Sequence, residues 1–201
     1  MSLVTVIDIS NVNGAVDWNQ LRGAGISAAY IKLSEGVTFD DPESIRHARA
    51  ARNAGIPFGF YHFARPDNNE PEAEAAHVFR RLDGVQPDLR LALDMEQGNP
   101  RASYGDWARR FSRTINFRLG HLPVFYSYGP YIEGMQLSST VGSGLWLAAY
   151  GRNDGVEHPF NVPAPWHRAT MHQFSSRCRV VGCGSFVDLS HASSLQPLRV
   201  H

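Results

Sequence analysis

The stretch "RLALDMEQGNP", residues 90 to 100, runs through apolar residues and then places two carboxylates, Asp94 and Glu96, at its end. Side chains alternate along an extended strand, so Asp94 and Glu96 leave one side while Met95 leaves the other. At roughly 3.3 Å per residue their α-carbons lie roughly 6.6 Å apart, from where both carboxyl groups can reach one sugar ring. Hydrolysis of a glycosidic bond asks for such a pair. One carboxyl is protonated and gives its proton to the leaving oxygen; the other is ionised beside the developing positive charge. The spacing leaves retention and inversion open, because side-chain rotamers span both distance classes. Asp8 after "VTVI" and Asp188 after "SFV" have the same setting, an acid directly behind an apolar run. Any one such acid can cap a helix or meet water. Four in the same role argue for a shared site at the C-terminal ends of parallel strands, the rim where α/β barrels keep their active sites. Like charges crowded into a partly dehydrated cleft resist joint ionisation, which raises at least one pKa. Glu96 is expected to hold a proton that Asp94 does not, with Asp8 and Asp188 helping to keep it there.

Aromatic residues lie on or at the ends of the same runs: Tyr61 and Phe63 in "GFYHF", Tyr126 and Tyr128 in "VFYSY", Trp146 and Tyr150 in "LWLAAY", and Phe174. Sugar rings pack their C–H faces on such rings while hydroxyls bond polar tips. The tyrosines are the better site candidates, since a buried phenol needs a partner. Phe63, Trp146 and Phe174 read as core residues, and His62 as a hydrogen-bonded core histidine rather than a ligand.

These residues need a scaffold. Strands are predicted at 3 to 9, 27 to 33, 57 to 63, 89 to 95, 123 to 128, 145 to 150, 170 to 174 and 185 to 189. Helices fill several gaps. Asp41 and Pro42 signal a start that Gly55 and Pro57 end, residues 70 to 84 form a second, and Ser103 with Asp106 makes an S-x-x-D cap for a third that stops at Gly120. Alternation holds up to Tyr128 and then fades; residues 151 to 168 read as a loop by composition. A single irregular (β/α) barrel of about eight strands, lacking helices in its last third, is the expected fold, with an open doubly wound sheet as the alternative. Leu91 and Leu93 are expected to anchor their strand inside the barrel.

A chain of 201 residues, 43% of them hydrophobic, can bury a full core. Its 19 basic and 19 acidic side chains cancel, which argues against nucleic acid or an anionic membrane as partner. The start, MSLVTVIDIS, has none of the marks of a signal peptide, and no run approaches the roughly 20 apolar residues of a membrane span. Cys178 and Cys183 could close a small disulfide loop or stay a reduced pair, and they are too few for a metal site.

The ordered set "IDISNVNGAVDW", "IKLSEG", "GIPFGFYHF", "ALDME", "PVFYSY", "LWLAAYG", "HQFSS" and "FVDLS" resembles the Ch-type lysozymes, glycoside hydrolase family 25, across nearly the whole chain. The resemblance implies a flattened, irregular β/α barrel and a muramidase that cuts the β-1,4 bond between N-acetylmuramic acid and N-acetylglucosamine in peptidoglycan. It makes Glu96 the general acid and Asp94 the group that orients the substrate's 2-acetamido function or the charge beside it. Asp8 and Asp188 become the further aspartates of the acidic groove. Tyr61, Tyr126 and Gln173 match groove-lining positions, Trp146 and Tyr150 join them as sugar-contact candidates, and Glu35 of the S-E-G motif has a structural or a sugar-binding role. On this reading residues 1–201 form one catalytic domain without a separate cell-wall-binding domain. It needs no cofactor or metal, works as a monomer on peptidoglycan glycan strands, and reaches the wall from outside or through a separate pore protein, as a phage endolysin or a bacterial autolysin does. Two rivals remain. A non-catalytic glycan-binding barrel would keep the groove, although the intact D-x-E argues against it. A metal-dependent polysaccharide deacetylase is suggested by "VTFDDP", which is similar to the T-F-D-D motif, but Asp41 and Pro42 are explained as a helix start and no H-x-x-x-H partner follows.

Overall fold

Alternating apolar runs and capped helical stretches give, in the computed structural model, a barrel; residues 3–82 and 84–200 are described. The strands are β1 (Val4–Ile9), β2 (Ile26–Glu35), β3 (Phe39–Asp40), β4 (Phe58–Phe63), β5 (Ala92–Asp94), β6 (Val124–Tyr128), β7 (Leu145–Ala148), β8 (Met171–Cys178) and β9 (Val187–Ala192). The helices are α1 (Trp18–Gly23), α2 (Ser44–Asn53), α3 (Pro71–Leu82), α4 (Ser103–Leu119) and α5 (Gly129–Glu133). Sheet order runs β1-β9-β8-β7-β6-β5-β4-β2, and β1 pairs with β2 to close eight strands, leaving β3 as a short hairpin partner on the far end of β2. From β1 through β2 and β4 to β8 every pairing in the barrel is parallel, whereas β9 runs antiparallel to both β8 and β1.

All eight predicted strands are present, and no α-helix follows α5 among the described residues. The sequence pattern did not anticipate β3, α1 or α5, which are too short to show a period. Two helix starts also differ from expectation. Asp41 is buried and accepts the backbone N–H groups of Asn11 (2.8 Å) and Glu43 (2.9 Å), so α2 begins two residues beyond Pro42, after Glu43. That use of its oxygens removes the residue on which the deacetylase rival rested. Ser103 is the first residue of α4, with Ala102 before it and no side-chain cap, while Asp106 pairs with Arg109. The stop at Gly120 is as read: its φ of 76° is a left-handed conformation that favours glycine.

Two apolar layers position the site. The outer one packs the strands' outward faces against the helices and includes Ile7, Ile9, Leu33, Phe60, Trp107 and Phe111. The inner one fills the barrel with Val6, Ala28, Tyr30, Ala92, Trp146 and Met171. Leu91 and Leu93 belong to the outer layer, contrary to expectation, and Ala92 is the residue of β5 that points inside. The alternation was right and the face reversed, because the interior is already filled by Tyr30 and Trp146, whose ring centroids are 4.8 Å apart. Gly59 shows how tight this filling is: a methyl there would lie 2.7 Å from Tyr30 Cε1 and 2.9 Å from Leu89 Cβ. Gly59→Ala is therefore expected to cost about 1–3 kcal/mol through overpacking. A calorimetric Tm should fall by about 3–10 °C.

No helix among the described residues is long and apolar enough to cross a membrane. Cys178 is buried, Cys183 half-buried, and both are free thiols.

Candidate active site

Strand periodicity carries through the D-x-E stretch as expected. Met95 packs in the outer layer, while Asp94 and Glu96 line one pocket of about 140 Å³ at the barrel rim. Glu96 lies beyond the end of β5, and the extended chain there is held to β6: Met95 N–H donates to Tyr126 O (3.0 Å) and Ser127 Oγ to Met95 O (2.6 Å). Asp8, Tyr61, Tyr126, Trp146 and Asp188 line the same pocket, so the structure brings together all four predicted acids.

Asp188 gets there by a route opposite to the one expected. It sits at the start of β9, not at the end of a parallel strand, and because β9 is antiparallel its first residues lie at the same rim. Asp8 and Asp188 are register partners, so their carboxyls act on each other at the rim. Burial, then the Asp188 charge, raises Asp8 well above the ordinary carboxylate range; burial also raises Asp188, with Asp8 pulling it back.

Gln173 fixes this side of the groove. Its Oε1 accepts the hydroxyls of Tyr126 (2.8 Å) and Tyr150 (2.7 Å), and its Nε2 donates to Asp8 Oδ2 (2.9 Å). Two phenol donors on one oxygen leave only one orientation for the amide. Trp146 is both floor and core, with its indole N–H donated to Ser190 Oγ at 2.9 Å. Phe174 is buried in the outer layer, as a core residue should be. Phe63, read as core, instead lines the pocket.

Asp94 is the deepest acid. Burial raises it well above the usual range and the Glu96 charge adds to that; Lys32 pulls it down. Glu96 is also raised, by burial and then by Asp188, against the Tyr126 hydroxyl and Lys32. Both carboxyls therefore resist ionisation in the free groove, Asp94 no less than Glu96. No protein donor among the described residues reaches Asp94 Oδ1, although the atom is buried.

Lys32 escaped the sequence reading. It is the one cation lining the pocket among the described residues, with Nζ 2.6 Å from Glu35 Oε2 and 4.8 Å from the centroid of Phe63. The available signal was a lysine inside the apolar run "AAYIKL", at the parity of Tyr30. Glu35 itself is tied to Lys32 and to Arg65, and the pocket lining does not include it. Burial resists its ionisation, but bonds from Lys32 and Arg65 prevail and lower its pKa. Glu35 is thus a partner of Lys32 beside the pocket. His62 is a core histidine, as expected, between Ser34 Oγ (2.9 Å) and Glu74 Oε2 (2.8 Å).

Glu96 also lines a second, larger space, a cleft of about 900 Å³ bounded by Tyr128, Tyr150 and residues 159–164. The small acid pocket and the larger cleft thus share Glu96 as a wall.

An α/β barrel whose acids meet on one rim beside an aromatic cleft defines a glycosidase-type barrel. Residues 7–183 match the profile of glycosyl hydrolases family 25. The chain belongs to that family. It is 31% identical to the autolytic lysozyme of Clostridium acetobutylicum over 189 residues, covering 93% of this chain and 55% of that protein. Lysozyme M1 of Streptomyces globisporus is 31% identical over 197 residues, covering 90% of this chain and 65% of the relative. The chain thus spans between about half and two thirds of the length of these curated relatives. Among solved structures, the bacterial lysozyme from Streptomyces coelicolor superposes with a TM-score of 0.81 at 29% identity, covering 96% of this chain and 94% of that one. The CTP1L endolysin gives a TM-score of 0.80 at 28% identity, covering 95% and 67%.

Proposed function

We propose that the chain is a peptidoglycan muramidase, hydrolysing the β-1,4 bond between N-acetylmuramic acid and N-acetylglucosamine, and that residues 1–201 act as one catalytic unit and as a monomer. The observation that carries this reading is the placement of Glu96, next to Asp94 in the acid pocket and also in the wall of the longer cleft. A polymer lying in the cleft would bring one glycosidic oxygen to Glu96, whose raised pKa keeps a proton available for the leaving group. Asp94 Oδ1, buried with no donor among the described residues, is suited to accept the N–H of a 2-acetamido group and so turn its carbonyl oxygen toward the anomeric carbon. In that scheme the acetamido oxygen forms the bond to carbon as the bond to the leaving oxygen breaks, and water later reverses the first bond; substrate assistance is a recognised departure from the two-carboxylate scheme. Asp8, Asp188 and Gln173 hold the charge pattern around the pair. Tyr61, Tyr126, Trp146 and Tyr150 supply ring faces and hydroxyls.

The site of action is the bacterial cell wall, reached either from outside or by release through a separate pore protein. Mass spectrometry of digested peptidoglycan after borohydride reduction tests the bond cut. Reduced muramic ends are expected; reduced glucosamine ends would replace the muramidase by a glucosaminidase, and intact strands would favour a binding barrel.

Lys32 yields a pH expectation. Its charge favours the ionised forms of Asp94 and Glu96, so Lys32→Met removes that help and moves both further up. The two limbs of the rate profile, set by the coupled titration of the Asp94 and Glu96 pair, should both shift to higher pH. A profile displaced to lower pH would contradict these roles.

A further inference from the structure

One cluster of titratable side chains lies away from the groove, on the outer face of β8 and β9 where the barrel has lost its helices. His172 and His191 are register partners across these two strands. Two imidazoles in that position repel each other once charged. Both turn to one carboxylate: His172 Nδ1 donates to Glu157 Oε1 and His191 Nδ1 to Glu157 Oε2, each at 2.8 Å. His172 Nε2 lies 2.9 Å from the carbonyl oxygen of Ala149. His172 thus meets a protein oxygen at each of its ring nitrogens. Burial opposes ionisation of Glu157, but the bonds from His191 and His172 outweigh it and hold its carboxyl below the ordinary range.

Glu157 stands in the 151–168 segment, which covers the face that a helix covers elsewhere. Phe160 of that segment packs on His172, centroids 3.7 Å apart, and lines the large cleft together with Ala149 and Glu96. The other charged groups of the segment pair among themselves, Asp154 accepting from His158 (2.8 Å) and Arg152 (3.2 Å); His167 and Arg168 close it ahead of β8. Tyr150 turns the other way, to Gln173.

We propose that Glu157, clamped between His172 and His191, is a positioning residue that holds the 151–168 segment against β8 and β9, so fixing the cleft wall beside Glu96. The effect on hydrolysis rests on the function proposed above; the clamp does not.

Hydrogen exchange by mass spectrometry on the whole chain, corrected for intrinsic rates, reads the clamp directly. Segment 151–168 of the wild type should be at least about tenfold better protected than that of Glu157→Gln at the same pH, with the rest of the barrel unchanged. His191→Phe, which removes one donor and leaves Glu157 in place, should lose part of that protection, and it reads the same contact should Glu157→Gln fail to fold. With a soluble glycan, Glu157→Gln should raise KM about tenfold and change kcat little. Equal protection of the segment in the wild type and both variants would overturn the clamp. A wild type that shows the exchange pattern but cuts no glycan would overturn the proposed function and leave the clamp standing.

Discussion

Glu96→Gln should give a protein with native Tm and circular dichroism whose rate of wall lysis is lower by at least about 10³-fold. The amide keeps the shape of the side chain and the contacts of the rim, but it has no proton to give to a leaving alkoxide. The site makes this specific, since Glu96 is the carboxyl that touches both the acid pocket and the long cleft. A turbidity assay on isolated cell walls, run beside thermal unfolding, measures both quantities. Wild-type rates from a folded Glu96→Gln protein would remove Glu96 from the chemistry and return the chain to the glycan-binding reading.

Asp94→Asn carries the second large effect, a loss of about 10²- to 10⁴-fold in kcat. The same substitution should stabilise the protein near neutral pH. Burial raises Asp94 well above its ordinary value, so the fold is favoured when this group is protonated and disfavoured once it must ionise. The sign follows: the wild type has the full benefit below the unfolded-state value and loses it as pH rises through the folded one. The replacement amide does not titrate, so the gain in Tm of Asp94→Asn over the wild type should be present at about pH 7 and vanish near about pH 3. Such a variant, firmer and inactive, is what a carboxylate kept for chemistry against the interest of the fold would produce. A variant that is less stable than the wild type at both pH values would mean that Asp94 holds the barrel together.

Much of this site could be read from residues alone, for local reasons. The D-x-E stretch obeys a period of two, so Asp94 and Glu96 share a side whatever surrounds them. Apolar runs of strand length ending in acids mark Asp8, Asp94 and Glu96, and the loss of helical punctuation beyond Leu145 marks the bare side of the barrel. The ordered motifs identify the family.

Other features depend on which strands become neighbours, and no local pattern holds that. Strand direction is one: Asp188 reaches the rim because β9 is antiparallel, a fact of topology and not of "SFVDL". Which face of β5 points inward is another, since Leu91 and Ala92 alternate either way and the choice falls to the space left by Tyr30 and Trp146. Lys32 counts as a groove residue only because the strand order places β2 near β5, with β4 between. The two histidines and Glu157 are separated by 15 and 34 residues in sequence and meet on one carboxylate only after β8 and β9 pair. Propensity and periodicity act over a few residues and therefore survive in the sequence. Burial and charge coupling act through space, and only the closed barrel decides them.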